Sequence, residues 1–351
     1  SEVYVPGACG ALSDGVSVDG TSYIPDTVQK VHQSYGRDYQ LPNFSAHNET
    51  CANIGNVLWN YRMFLLTGDE KYFDIVELAL YNSVLSGISM DGTKFFYTNP
   101  LAHTVNYPYH LRWEGGRVPY ISKSNCCPPN VVRTIAQISN YMYSTGKDGL
   151  YINMYGGNNL QTVLNDGSKL ALQQVSNYPW DGAVSLSITE APVTTLPIHL
   201  RIPGWCNKAS VKVNGKLVNG TIKGGQYFTL DQKWKKGDKI ELVLDMPATL
   251  IESNPMVEET RNQVAVKRGP VVYCIESPDV PAQKVFNVAI PSNIQLKPVP
   301  TTIARGNMMA LTGEARLLNN GDWTRTLYKE VSKKHTTVNI KLIPYYAWAN
   351  R

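Results

Sequence analysis

The chain has 351 residues, 43% of them hydrophobic and only 17% charged, so it can bury the cores of two or three domains and is not a disordered polypeptide. The net charge of +5 is thinly spread. Its densest basic stretch, Lys233, Lys235, Lys236 and Lys239, reads as a solvated turn between strands, and no clustered or aromatic–basic motif marks a nucleic-acid partner.

In chain order, the opening Ser1-Glu2-Val3-Tyr4-Val5-Pro6 carries no Met, as expected of a processed or cut chain. Residues 48–88 predict helix: Ile54, Val57, Leu58, Tyr61, Phe64 and Leu65 recur at three- and four-residue spacing, and Gly68-Asp69 punctuates the end. Glu70–Ser86 predicts a second helix, with Tyr72, Ile75, Val76, Ala79, Leu80 and Ser83 on one stripe. A third begins after Pro128-Pro129, because proline is tolerated in a first helical turn.

After Gly149 the period shortens to two. Leu150–Met154, Ala183–Thr189, Pro197–Ile202, Ser210–Val213, Gln226–Leu230 and Lys239–Leu244 alternate apolar and polar residues, separated by turns such as Asn165-Asp166-Gly167 and Asn214-Gly215. That spacing predicts an antiparallel sandwich. Further strands in 262–290 and 335–346 leave a second sheet unit open. The expected fold is thus α+β and multidomain, with a helical part over 1–149 and a β-sandwich region over 150–351. No apolar run reaches the roughly 18 residues of a membrane span.

The 21 tyrosines outnumber the seven phenylalanines, which suits a sugar-lined cleft and a plain β-sandwich alike. Chemistry concentrates in the cysteines, six in all. Glu49-Thr50-Cys51 stands at a predicted helix start, and about 75 residues later comes Asn125-Cys126-Cys127-Pro128-Pro129-Asn130. Adjacent Cys126 and Cys127 are poor disulfide partners. Three soft thiolates and a carboxylate would satisfy tetrahedral zinc, though the spacing is not that of a zinc ribbon. A buried free cysteine is also a small hydrophobe, so the residue types alone leave metal and packing both open.

Five ordered motifs make the case more specific: His32-Gln-Ser-Tyr-Gly-Arg-Asp-Tyr-Gln-Leu-Pro-Asn43, Ala46-His-Asn-Glu-Thr-Cys-Ala52, Glu77-Leu-Ala-Leu-Tyr-Asn82, Phe96-Tyr-Thr-Asn-Pro-Leu101 and Cys126-Cys-Pro-Pro-Asn130. Together they resemble glycoside hydrolase family 127, the β-L-arabinofuranosidases and their relatives. Arg268-Gly-Pro-Val-Val-Tyr273 fits the family's β-region more weakly. The resemblance implies the C-terminal half of an (α/α)6 barrel followed by β-sandwich domains. A missing N-terminal half of the barrel would then cover the helical part, and the protein would be a secreted or periplasmic bacterial one.

Position by position, the resemblance implies that Glu49, Cys51, Cys126 and Cys127 hold a zinc ion (Zn2+). It makes Cys126 the nucleophile, and Glu77, Tyr97 and His32 contacts to a carbohydrate substrate. A zinc-held thiolate is a nucleophile at neutral pH without a neighbouring base, which suits retaining glycoside hydrolysis. One departure stands out. Gln33 occupies the position of the family's acid/base glutamate, and an amide has no proton to give a leaving oxygen.

The functional expectation is an exo-acting retaining hydrolase releasing a terminal sugar, either L-arabinofuranose-like or an acidic sugar of plant pectin. The intact Glu49, Cys51, Cys126 and Cys127 set favours it. Gln33 favours the alternative, a non-catalytic carbohydrate-binding relative with a structural zinc. A lyase of uronic polysaccharides has nothing in its favour beyond helices and sheets.

Overall fold

The computed structural model describes residues 38–41, 43, 48–103, 116–119, 125–281, 284–319, 321, 325–330 and 334–351. Among the described residues three α-helices precede the sheets: α1 (Thr50–Thr67), α2 (Glu70–Ala79) and α3 (Cys127–Ala136). α1 turns Ile54, Val57 and Phe64 inward, as their spacing predicts. Asp69 caps α2, its carboxylate accepting the Lys71 amide at 3.1 Å. The expected continuous helix to Ser86 instead loosens after Ala79 into a π turn, Leu80–Val84, and a 3-10 turn, Leu85–Gly87. There Asn82 Nδ2 donates to the Leu78 carbonyl at 2.8 Å and Ser83 Oγ to the Ala79 carbonyl at 3.3 Å. Side chains that bond carbonyls four residues back compete with the α-helical ladder.

Strands follow from Tyr143 onward. β1 (Tyr143–Gly146), β2 (Gly149–Ile152), β3 (Asn158–Val163), β4 (Lys169–Ser176), β5 (Ala183–Glu190) and β6 (Leu196–Ile202) precede β7 (Ala209–Val213), β8 (Lys216–Leu217), β9 (Gln226–Gln232) and β10 (Lys239–Leu244). They form a four-stranded sheet, β1-β2-β6-β9, in which only β2 and β6 run parallel, and an antiparallel six-stranded sheet, β3-β4-β5-β10-β7-β8. One core lies between these sheets, built on Leu150, Ile152, Leu172, Leu186, Leu200 and Trp234. The inward faces are apolar at every second position, the pattern that sandwich packing demands.

Beyond these come β11 (Ala248–Glu252), β12 (Val264–Arg268), β13 (Val271–Cys274), β14 (Val288–Ala289), β15 (Lys297–Ile303), β16 (Gly306–Leu318) and β17 (His335–Pro344). They make one antiparallel sheet of order β11-β12-β13-β17-β16-β14, with β15 also paired to β16.

The chain divides into two compact units that do not follow chain order. Among the described residues, one comprises 50–84 and 125–247, so the three α-helices fall with the two-sheet sandwich. The other comprises the described residues among 38–49, 85–119 and 248–351. Within it, Arg117 stacks on Phe96, its Cζ 4.2 Å from the ring centroid, and donates to the Ser86 carbonyl at 2.9 Å. Among the described residues, no helix is long and apolar enough to cross a membrane.

Candidate catalytic and metal centre

The centre is built on helix starts. Cys51 is the second residue of α1, Cys127 opens α3, and Cys126 is the residue before it. A helix N-terminus carries unsatisfied N–H groups and a partial positive charge, which favour thiolate over thiol. Pro128 and Pro129 occupy the first turn of α3, where a missing N–H costs nothing.

Glu49 is fixed by its backbone. It pairs with Thr98 in an antiparallel bridge, and next to that bridge the two facing asparagines, Asn48 and Asn99, lock together. Asn48 Nδ2 donates to the Asn99 carbonyl at 2.7 Å, while the Asn99 amide returns a bond to the Asn48 carbonyl at 3.2 Å. Asn48 sits at φ 38°, a left-handed conformation that asparagine tolerates better than most residues. Ser86 Oγ donates to Asn99 Oδ1 at 2.9 Å, and Tyr345 donates its hydroxyl to the Asn99 carbonyl at 3.2 Å.

The ligand atoms of Glu49, Cys51, Cys126 and Cys127 lie within 4.8 Å of one another. Cys51 Sγ is 3.3 Å from Cys127 Sγ, which in turn is 3.8 Å from Cys126 Sγ. Neither separation is near the ~2.05 Å of a disulfide. Sulfurs about 2.3 Å from one tetrahedral ion stand about 3.8 Å apart. Three sulfurs and one carboxylate oxygen at these separations are a donor set and spacing that zinc accepts. Burial then divides the thiols: Cys127 is fully enclosed, Cys51 is half-buried, and Cys126 is exposed.

Of the expected sugar contacts, Tyr97 is buried beside Thr98, next in sequence to the bridge that holds Glu49. Glu77 lies in another setting than a substrate contact requires. Its carboxylate is 1% exposed, and both oxygens are engaged within the helix–sandwich unit. Oε1 accepts from Tyr178 at 2.6 Å and lies 2.6 Å from Arg201 Nη2, an ion pair too poorly aligned to count as a hydrogen bond; Oε2 accepts from Trp205 at 3.2 Å. His32 and Gln33 lie outside the described residues.

That ion pair belongs to a cluster that strand periodicity did not reveal. Arg201, on β6, is wholly buried; its Nη1 also lies 2.8 Å from Glu70 Oε1 and 2.7 Å from Asp74 Oδ1. Three carboxyls face one guanidinium. Burial pushes Glu70 up to about 8, with Arg201 pulling the other way and Asp74 adding to the rise. Sequence reasoning also gave no role to Asn130, whose Nδ2 stands 3.1 Å from Cys51 Sγ. Its place three residues past Cys127, on the helix the thiols open, was the available signal.

Three family descriptions match the chain in succession: "Beta-L-arabinofuranosidase, GH127 catalytic domain" over residues 1–140, "Beta-L-arabinofuranosidase, GH127 middle domain" over 149–246, and "Glycoside hydrolase family 127 C-terminal domain" over 248–351. A non-reducing end beta-L-arabinofuranosidase of Bifidobacterium longum is 29% identical, over 94% of this chain and 51% of its own length. Among solved structures, one described as a glycoside hydrolase superposes with TM-score 0.92 at 53% identity, covering 99% of this chain and 58% of that one. A GH127 beta-L-arabinofuranosidase from Geobacillus stearothermophilus T6 gives TM-score 0.83 at 35% identity, over 99% and 53%. The chain therefore spans between 51% and 58% of the length of these relatives. Matched end to end by the catalytic, middle and C-terminal domains in order, with the three thiols and carboxylate gathered at one point, the chain belongs to glycoside hydrolase family 127.

Proposed function

We propose that the protein is an exo-acting retaining glycoside hydrolase in which Cys126 is the nucleophile and Glu49, Cys51, Cys126 and Cys127 hold a zinc ion. The observation that carries this reading is the division of burial within the thiol cluster: Cys127 is sealed and Cys126 is open. A purely structural zinc site gains nothing from an exposed ligand, whereas a nucleophile must reach a sugar. Bound zinc would supply one thing, keeping the thiols deprotonated at neutral pH.

In the first step the Cys126 sulfur attacks the anomeric carbon. A C–S bond forms, the glycosidic C–O bond breaks, and its electron pair leaves on the aglycone oxygen, which takes up a proton. In the second, water attacks the same carbon and gives up a proton to solvent, the C–S bond breaks with its electron pair returning to sulfur as thiolate, and the sugar leaves with retained configuration. Gln33 cannot supply the first proton, so another acid or solvent does. His32 and Tyr97 remain proposed sugar contacts; Glu77 would serve only if its carboxylate left Arg201.

The substrate proposed is a terminal L-arabinofuranose-like or acidic pectic sugar on an extracellular glycan, which suits a secreted or periplasmic protein. The helical part would be the second half of an (α/α)6 barrel. Its exposed apolar residues, among them Trp59 at 67% and Leu66 at 80% on α1 and Val132 and Ile135 on α3, support a covering helical segment.

The test is a panel of aryl β-L-arabinofuranosides and uronides, followed by mass spectrometry of quenched enzyme. A glycosyl adduct on the Cys126 peptide is expected. Turnover with the adduct on another residue would displace Cys126. Tight sugar binding without turnover or adduct would favour the non-catalytic alternative that Gln33 suggests.

A further inference from the structure

Asn130 has every polar group committed. Its backbone amide donates to the Cys126 carbonyl at 3.1 Å, and its own carbonyl accepts from Thr134 Oγ1 at 2.7 Å. Arg133 Nη2 donates to Oδ1 at 2.7 Å, and Nδ2 stands 3.1 Å from Cys51 Sγ. Arg133 settles which way the side-chain amide points. A guanidinium only donates, so the atom facing it must be oxygen, and the NH2 group is left facing the sulfur. Asn130 and Arg133 are one turn apart on α3, whereas Cys51 is on α1.

We infer that Asn130 is a positioning residue for the metal centre: it donates an N–H···S hydrogen bond to the Cys51 thiolate, and Arg133 locks it in the donating orientation. This rests on the zinc reading above. The bond aims the sulfur by restricting rotation about the Cys51 Cα–Cβ bond, and withdraws charge from it. The backbone amide of the same residue holds the Cys126 carbonyl, so the exposed nucleophile and the half-buried ligand are referenced to one residue. Partners that orient metal ligands in this way typically account for 10- to 100-fold in metal affinity.

The experiment uses the full chain and compares Asn130→Asp with wild type. Aspartate is isosteric and keeps the Arg133 contact, but it turns an oxygen lone pair toward the sulfur. Zinc affinity is read by competition with a chromophoric chelator, and the sulfur-to-metal charge-transfer band is read after loading with Co2+. Expected are a fall in zinc affinity of about 10- to 100-fold and a shift of the band to lower energy, with matched far-ultraviolet circular dichroism before metal is added. Asn130→Gln, which keeps a donor and an acceptor, should recover part of both. Arg133→Met, which frees the amide to rotate, should show a smaller loss and keeps the test open if Asn130→Asp fails to fold. Unchanged affinity and an unmoved band in a folded Asn130→Asp or Arg133→Met protein would overturn the inference while leaving the zinc reading intact. Failure of the wild-type chain to take up zinc or cobalt would overturn both.

Discussion

Asp74 Oδ1 lies 2.7 Å from Arg201 Nη1, and Asp74 Oδ2 accepts the Gly204 amide at 2.9 Å. One carboxylate on α2 thus holds both β6 and the turn that follows it. Arg201 Nε in turn donates to the Asn153 carbonyl at 2.7 Å, just past β2. Removing the cation would leave the buried Glu77 carboxylate without a counter-charge and the buried Glu70 carboxyl without its donor. Arg201→Leu is therefore expected to lower unfolding free energy by about 3–5 kcal/mol. Asp74→Asn, at a partly solvated position with two other carboxyls remaining, should cost less. Urea denaturation of both variants checks the ranking, and equal losses would contradict it.

Glu70 gives this cluster a pH signature. Burial raises its folded-state value from an ordinary 4.5 to about 8, so the folded protein binds that proton more tightly than the unfolded chain. The resulting stabilisation is full below about 4.5 and is lost as pH rises through about 8. The melting temperature should fall across that window in the wild type. Glu70→Gln, which mimics the protonated form, should flatten the fall and be tolerated at neutral pH. A wild-type slope that survives Glu70→Gln would place the proton elsewhere.

Cys126→Ser should abolish turnover, by about 1000-fold or more, because a serine alkoxide is far harder to reach than a thiolate. The exposed position means little packing is lost, so the metal-free melting temperature should stay within a few degrees. Near-normal rates in a folded, zinc-loaded variant would move the nucleophile to another residue.

Chelation should act on stability as well as on activity. Metal that binds only the folded state stabilises it by about 2.7 kcal/mol when free ion stands at 100 times Kd. Removing zinc should therefore lower the melting temperature by several degrees and expose Cys51 and Cys126 to a thiol reagent. Cys206 and Cys274 should stay slow, since burial pushes both thiols up. A thiol count that chelation does not change would argue against metal at this centre.

Periodicity made much of this architecture legible. Ile54, Val57 and Phe64 marked α1 because a 3.6-residue stripe has no other economical use, and the runs at 183–189 and 239–244 became β5 and β10 with little change of bounds. The β3–β4 hairpin escaped notice because β3, Asn158–Val163, is an edge strand of mostly polar residues, though the Asn165-Asp166-Gly167 turn beside it was plain. The cysteine–glutamate cluster was legible from donor chemistry and family motifs. Arg201 was not: alternation says which face of β6 a residue takes, but not that carboxyls some 130 positions earlier wait beneath it. The π turn at Leu80–Val84 was hidden because the apolar stripe runs through it unbroken while Asn82 and Ser83 divert the backbone bonding.

The sulfurs of Cys51 and Cys127 belong to residues 76 positions apart, and each stands at the start of a helix. An ion shared between them would act as a removable cross-link. A permanent bridge closing a loop of that length would narrow the unfolded ensemble by about 4 kcal/mol. A metal does so only once both helix starts exist, because neither supplies enough ligands alone. Metal capture would then come late in folding and slow the unfolding rate more than it speeds folding, so that supply of the ion governs how long the folded protein lasts rather than how quickly it forms.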